Sequence, residues 1–214
     1  MYPLRYAFQP VASCLRMETP PQIDGELDDW SKHYLLPDWY EEDAADLFAT
    51  FYAGWDESHL YFATQVNLRR APRPNLRRFW EGDCLEVFLD LRGTLARNAF
   101  GQQCVHFFFL PQGNGNPRAH GGRCEPGVEN QVAVAEDETL SVAGLTYAQG
   151  YSLEIAMPRE AIPTFEPDSH PSIGFNYVLH DASGRTQSWS VGKELHTYRD
   201  PSTWGVLDLI RDAS

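Results

Sequence analysis

Apolar and polar residues alternate along most of this chain, a pattern typical of β-strands that bury one face. In 47–55 (LFATFYAGW) every second side chain is apolar, and the same alternation returns in 60–66 (LYFATQV). A short turn, Asp56-Glu57-Ser58, separates these two segments, so together they predict a β-hairpin. The other segments with strand character are 84–91, 104–110, 130–135, 140–147, 151–157, 173–180, 187–191 and 205–210.

Helical signals are confined to short stretches. Segment 25–33 (GELDDWSKH) allows a turn or two, and 158–162 (PREAI) begins with a proline suited to the first position of a helix. The glycine-rich segment 120–129 is predicted to be a long loop. About ten short strands with no long helix predict an all-β fold, an antiparallel β-sandwich of jelly-roll or immunoglobulin-like type with one or two helical turns. Since no internal repeat or linker interrupts the pattern, we expect a single domain over 1–214, with its core in about 22–210.

The composition supports a folded core and narrows the classes of partner. Of 214 residues, 43% are apolar and 13% aromatic, which argues against wholesale disorder. The formal net charge of −13 repels phosphate backbones and anionic membrane surfaces, so neither nucleic acid nor membrane is expected as a partner. One stretch departs from this balance, because five arginines crowd residues 69–78. We favour a solvated surface for that stretch, with a binding patch as the alternative.

Neither a membrane span nor a secretory signal is apparent in the sequence. No apolar run approaches the ~20 residues that a spanning helix needs. The N-terminal segment lacks the apolar centre of a signal peptide, which predicts a cytoplasmic protein or the processed form of a secreted one. The cysteines, Cys14, Cys84, Cys104 and Cys124, form no Cys-x-x-Cys pair, which argues against structural zinc. We favour free buried thiols, and a disulfide between Cys84 and Cys104 is the alternative if their strands are neighbours.

Motifs of the common catalytic classes are absent from the sequence. It contains no Gly-x-Ser-x-Gly elbow, no His-Glu-x-x-His pair, no phosphate-binding Gly-x-x-x-x-Gly-Lys loop and no dinucleotide fingerprint. Two strand carboxylates, Glu86 and Glu154, could still perform glycosidic acid–base chemistry. We favour the alternative that each lies on a solvated sheet face or pairs with an arginine.

Six short motifs follow one another in an order that resembles family 9 carbohydrate-binding modules. They are QIDGELDDW (22–30), WDESHLYFATQV (55–66), WEGDCLEVFLD (80–90), YSLEIAMPREAI (151–162), IGFNYVLHDASG (173–184) and WGVLDL (204–209). Each motif alone is weak evidence, but the six motifs in this order span nearly the whole chain. Two features depart from the family pattern: Cys84 stands where the family often has serine, and the loop of 69–78 is unusually basic.

This resemblance implies a DOMON-like β-sandwich that binds a saccharide without catalysis, in carbohydrate catabolism. Such modules sit beside glycoside hydrolases, so a hydrolase acting in trans is an expected partner. The family holds a sugar between two tryptophans, and the matching positions here are Trp80 and Trp189. A tryptophan face suits the C–H face of a pyranose, and polar groups satisfy its hydroxyls. For each tryptophan, a place in the core is the alternative.

Polar residues near these tryptophans complete the predicted ligand site. Arg77, Arg78 and Glu81 share a loop with Trp80 and can reach sugar hydroxyls. Asn176 alternates with two aromatic residues and is a candidate ligand, with a solvent-facing amide as its alternative. His106 lies on a predicted strand, where a histidine is more often structural than functional.

Two cofactor predictions also rest on the resemblance. Structural calcium is common in the family, and its candidate ligands are oxygen donors at predicted turns: Asp24, Asp28, Asp29, Asp56 and Asp83. Turn formation through side-chain to backbone hydrogen bonds is the alternative for Asp24 and Asp56. Fold relatives that bind haem suggest a haem module as a further alternative, but the only methionines, Met1, Met17 and Met157, sit in no distinctive setting.

Overall fold

The computed structural model describes residues 8–38, 47–95, 100–113, 115, 118–125, 128, 137–191 and 195–211. They form twelve strands: β1 (Val11–Arg16), β2 (Ala49–Trp55), β3 (His59–Asn67), β4 (Cys84–Asp90), β5 (Cys104–Leu110), β6 (His120–Arg123), β7 (Ser141–Ala143), β8 (Thr146–Tyr147), β9 (Gly150–Pro158), β10 (Ser172–His180), β11 (Thr186–Ser188) and β12 (Gly205–Ile210). Three single 3₁₀ turns accompany them, at Lys32–Tyr34, Phe79–Glu81 and Pro201–Thr203. Within these residues, no helix has the length and apolar character needed to cross a membrane.

The strands form one continuous mixed sheet that folds over on itself. Its order is β6-β5-β4-β10-β12-β1-β2-β3-β9-β7, with β11 paired to β10 and β8 to β9. Strand β1 joins the two halves, because it pairs in parallel with β12 on one side and with β2 on the other. The remaining pairs are antiparallel, as in the β2–β3 hairpin, where Ala49 lies opposite Val66. The predicted all-β sandwich is confirmed, with the two parallel pairs of β1 as an addition.

Two strands were not expected from the sequence, and both contain small residues at inward positions. In β1 the buried residues are Ala12 and Cys14, which give little hydrophobic contrast. Strand β6 replaces the first part of the predicted loop 120–129. A Cβ atom on its Gly121 would lie 2.4 Å from the Phe109 ring, so glycine allows an aromatic side chain of β5 to lie across β6.

The other predicted elements are largely present. Segment 140–147 divides into β7 and β8, and 187–191 contributes only the end of β11. Segment 158–162 forms one turn, closed by the Ile162 amide donating to the Pro158 carbonyl at 3.2 Å. The predicted strand 130–135 lies outside the described residues.

The core lies between the two halves of the sheet. Leu85, Val87 and Leu89 of β4 belong to the same buried cluster as Leu153 and Ile155 of β9, so these strands face each other across the core. The opposite face of β4 is largely buried too, because loops pack over it. Met157 lies in the central cluster and Met17 in a smaller one on the outer face of β3 and β9, so both described methionines pack in the core.

All four cysteines are buried and free, in agreement with the favoured interpretation. Strands β4 and β5 are neighbours, but Cys104 lies opposite Asp90, at the far end of β4 from Cys84. The alternative disulfide is therefore not formed.

Candidate functional site

A carboxylate held between two histidines lies on the outer face of β4, β5 and β10. Glu86 accepts a hydrogen bond at each oxygen, from His106 Nε2 at 2.7 Å and from His180 Nε2 at 2.6 Å. The strand register explains the cluster. Val178 of β10 and Phe108 of β5 lie directly opposite Glu86. His180 and His106 are each two residues away from these partners along their strands, so both side chains lie on the same face as Glu86 and diagonal to it. We call these three residues the histidine–glutamate cluster.

Burial and the two histidines have opposite effects on the charge of this carboxylate. Burial raises the pKa of Glu86, but hydrogen bonds and charge from His106 and His180 outweigh it and lower the pKa to about 2. The side chains of Glu86 and His180 remain 12% and 11% exposed, whereas that of His106 is 2% exposed and stacks on Phe88 at 4.1 Å. The cluster thus presents an ionised carboxylate and one histidine at the protein surface.

An indole lies on the same outer face. Phe79 stacks on Phe108 at 4.6 Å between ring centroids, and Trp80 contacts Phe79 edge-on at 5.1 Å. Since Phe108 lies opposite Glu86, this stack brings Trp80 to the face that carries the histidine–glutamate cluster. Trp80 is only partly buried, unlike Phe79 beside it.

Residues 69–83, which we call the Trp80 loop, are anchored by a buried ion-pair network. Arg70 donates to both oxygens of Asp83, at 2.7 and 2.8 Å, and also to Asp181 beyond the end of β10. Asp83 further accepts from the backbone amide of Arg73. Gly82 completes the packing, since a Cβ atom there would lie 2.5 Å from the Asn75 amide nitrogen. These contacts fix the loop at both of its ends.

Four of the predicted ligand residues come together on this loop. The side chains of Arg77, Arg78 and Glu81 are exposed beside the partly buried Trp80. Arg78 Nη2 pairs with Glu81 Oε1 at 2.9 Å, and its guanidinium lies 6.0 Å from the Trp80 ring centroid.

The structure places Trp189 and Asn176 in structural roles. Trp189 is 2% exposed, packs 5.3 Å from Phe175 and donates its indole N–H to the Pro37 carbonyl at 3.2 Å. It therefore offers no open face for stacking. Asn176 is fully buried and bonds to Val191, Thr197 and Ser190, so its amide is used within the fold. The remaining candidate, His106, belongs to the histidine–glutamate cluster.

The aspartates predicted to bind calcium do not converge. Asp83 is buried and paired with Arg70, and Asp56 accepts from the amides of Ser58 and His59 and from the Tyr61 hydroxyl. Asp24 accepts from the Glu26 amide and the Gln22 side chain; Asp29 accepts from the Gln22 amide, and Asp28 is exposed. Within the described part of the chain, no group of three or more His, Cys, Asp or Glu side chains is placed to hold a metal. The observed contacts of Asp24 and Asp56 are those of turn formation, and those of Asp83 include an ion pair, while calcium binding stays a prediction.

The two carboxylates considered for catalysis lie on opposite outer faces. Glu86 alternates with the core residues of β4, and Glu154 alternates with those of β9, so both point away from the core that separates them. Glu154 accepts from the amides of Asp24 and Gly25 and from the Trp30 indole, and burial raises its pKa. The two catalytic carboxyl groups of a glycosidase lie about 5 to 10 Å from each other on either side of the scissile bond, which side chains on opposite outer faces do not provide.

Sequence reasoning missed His180 and Arg70 as parts of the site. His180 continues the alternation of Asn176 and Val178 to the end of β10, which was a usable signal for a shared face. The role of Arg70 depends on Asp83 and on Asp181, 111 residues further along, and had no sequence signal.

A separate cavity of about 270 Å³ lies between β6 and β7. Arg118, His120, Asp137 and Glu138 are among its lining residues, and none of its lining comes from the Trp80 loop or the histidine–glutamate cluster. Among its lining residues that the structure describes, His120 carries the only aromatic side chain.

Together, the fold and this surface define an all-β domain with an aromatic platform beside fixed polar groups on one outer sheet face. Residues 23–212 match the family described as "Carbohydrate family 9 binding domain-like", and the chain belongs to it.

Solved structures of similar fold include a family 9 carbohydrate-binding module from Caldicellulosiruptor kristjanssonii. Its complex with cellotriose is 17% identical, with a TM-score of 0.62 and 96% of each chain covered. Its glucose complex is 16% identical, with a TM-score of 0.62, covering 95% of this chain and 98% of that one. A putative carbohydrate-binding protein from Bacteroides uniformis is 16% identical, with a TM-score of 0.51, covering 94% and 98%. None of the curated proteins compared with the chain matches it significantly.

Proposed function

We propose that this domain binds a saccharide, without altering it chemically, on the outer face that carries Trp80 and the histidine–glutamate cluster. The observation that carries the proposal is the partly exposed Trp80 on the same face as a carboxylate fixed by two histidines. The indole can stack on the C–H face of a pyranose. Each Glu86 oxygen bonds to one histidine, which leaves acceptor capacity for sugar hydroxyls.

The comparisons support the ligand class. The chain belongs to a family described by carbohydrate binding, and similar structures were solved with cellotriose and with glucose. The placement of Glu86 and Glu154 on opposite outer faces supports binding without hydrolysis.

We further propose a role in carbohydrate catabolism in which a glycoside hydrolase on another chain acts on the bound glycan. The proposal of this partner rests on the family resemblance. If it holds, adding the purified domain should increase the rate at which a glycoside hydrolase degrades an insoluble polysaccharide.

Replacing Trp80 tests the site. Because stacking contributes through buried aromatic area, Trp80→Ala should weaken binding by about tenfold or more. Affinity for glucose, cellobiose and cellotriose would be measured by isothermal titration calorimetry, with the melting temperature recorded for each variant.

Tyr147→Ala provides a matched control. Tyr147 is 46% exposed and lies on β8, beside β9 in the other half of the sheet, so its loss should leave affinity unchanged. Equal affinity in folded Trp80→Ala and wild type would remove Trp80 from the site. Failure of the wild-type protein to bind any saccharide of a broad panel would contradict the proposed function itself.

A further inference from the structure

The Trp80 loop is cationic although the protein as a whole is strongly acidic. Residues 69–83 contain five arginines against two acids, Glu81 and Asp83, for a formal charge of +3, whereas the whole chain carries −13. A local reversal of this size attracts anions to one part of a surface that otherwise repels them. The reversal lies on the loop that supplies the stacking residue of the proposed site.

Three arginines of this loop form no ion pair within the described part of the chain. Arg70 is committed to Asp83 and Asp181, and Arg78 pairs with Glu81. Arg69, Arg73 and Arg77 are exposed and form no ion pair with any residue that the structure describes. Of these three, Arg73 and Arg77 lie nearer to Trp80 in sequence and are the ones considered for a ligand. By contrast, the partly buried Arg16 and the exposed Arg211 share Glu57 on another part of the surface.

Hydrogen bonds hold the backbone of Arg73 and of Arg77 in place. The Arg73 amide donates to Asp83, and its carbonyl accepts from the Asp83 amide at 3.1 Å. The Arg77 amide donates to Asn75 Oδ1 at 3.1 Å. A fixed backbone reduces the ordering cost when a flexible side chain engages a ligand.

We propose that the saccharide bound here is anionic and carries a uronic-acid carboxylate that Arg73 and Arg77 recognise. This inference rests on the proposed saccharide binding and specifies its ligand class. A planar guanidinium matches a carboxylate with two parallel hydrogen bonds, and such charge-assisted bonds are stronger than neutral ones. The acids of the loop do not cancel this preference, because Glu81 is paired with Arg78 and Asp83 with Arg70, which leaves the charges of Arg73 and Arg77 uncompensated within the loop.

The test compares trigalacturonic acid with its methyl ester, which has the same ring structure without the charge. Wild type should bind the acid about tenfold more tightly than the ester. The affinity for the acid should fall as NaCl rises from about 0.05 M to about 0.5 M, because salt screens exposed charges, and the affinity for the ester should stay nearly constant.

Arg73→Gln/Arg77→Gln should bring the affinity ratio of acid to ester close to one. The control Arg92→Gln/Arg159→Gln removes the same charge from exposed positions outside the Trp80 loop, after β4 and after β9, and should keep the wild-type ratio. Equal binding of acid and ester by wild type, or an unchanged ratio in Arg73→Gln/Arg77→Gln, would overturn the inference while saccharide binding stands. Binding of neither these ligands nor any neutral sugar would overturn both proposals.

Discussion

At the scale of single residues, the Ile23-Asp24-Gly25 motif requires its glycine because the backbone of Gly25 packs closely against the backbone of Gly144. Gly25 has φ of +94°, in the left-handed region, and a Cβ atom there would lie 2.8 Å from the Gly144 carbonyl carbon. Its amide donates to Glu154 at 2.7 Å, and its carbonyl accepts from Ser152 at 2.6 Å. The motif thus attaches the N-terminal segment to the outer face of β9.

Gly25→Ala should therefore destabilise the fold more than Gly184→Ala. Gly184 has a similar φ of +92°, but among the described residues, apart from its two chain neighbours, no atom lies within 4 Å of the position that its Cβ would occupy. Backbone strain alone should cost about 1–2 kcal/mol at Gly184, and the clash should raise the cost at Gly25 to about 3 kcal/mol or more. Urea denaturation measures both values, and equal losses would show that the contact with Gly144 relaxes freely.

At the scale of elements, the Trp80 loop is held at both of its ends by charge pairing. Asp83 is fully buried and Asp181 is 5% exposed, and Arg70 lies between them. The pKa of Asp181 rises with burial, but the Ser183 amide, Arg185 and Arg70 lower it to about 2. This loop needs the guanidinium because two buried carboxylates otherwise repel each other.

Arg70→Met should destabilise the protein by about 3–5 kcal/mol, because it leaves the buried Asp83 without its charged partner and Asp181 with Arg185 alone. The adjacent exposed Arg69 gives a matched control, and Arg69→Met should change the free energy of unfolding by less than about 0.5 kcal/mol. Chemical denaturation checks both. A loss in Arg70→Met no larger than in the control would show that the network is solvated.

At the scale of the whole molecule, polar groups link strands across the outer face while the apolar core links the two halves. Glu86 on β4 bonds to His106 on β5 and to His180 on β10, so one carboxylate connects three neighbouring strands. Its lowered pKa means that folding favours its ionised form. The ionised carboxylate therefore adds to the free energy of unfolding at pH values above the ordinary glutamate pKa of 4.5. This stabilisation is lost as the pH falls toward 2.

The wild-type protein should accordingly lose stability between about pH 4.5 and pH 2, by on the order of 2–3 kcal/mol from Glu86 alone. Glu86→Gln should be less stable at neutral pH and show a smaller loss over that interval, since its amide does not titrate. Thermal unfolding followed by circular dichroism across this range measures the difference. Identical acid profiles for the two proteins would contradict the assigned role of Glu86.

The alternation of apolar residues was enough to place most strands, because a half-buried strand needs a period of two. It was not enough for β1, whose inward residues are Ala12 and Cys14, or for β6, where Gly121 lies against the ring of Phe109. Sequence neighbours were enough to group Trp80, Arg77, Arg78 and Glu81 on one loop, and their role in binding a ligand stays a prediction. His180 and Arg70 act through partners distant in sequence, which no local pattern reports.

Local patterns were sufficient to assign the all-β class, the face of β4 that enters the core and the family to which the motifs point. Each of these depends on local periodicity or on short runs of residues. Long-range packing is what buries Trp189 while Trp80 stays partly exposed, and what brings two histidines to Glu86 and the N-terminal segment to Glu154. The reason is physical: a strand pattern sets which side a residue faces, but the segments packed over that side decide whether it is core or surface.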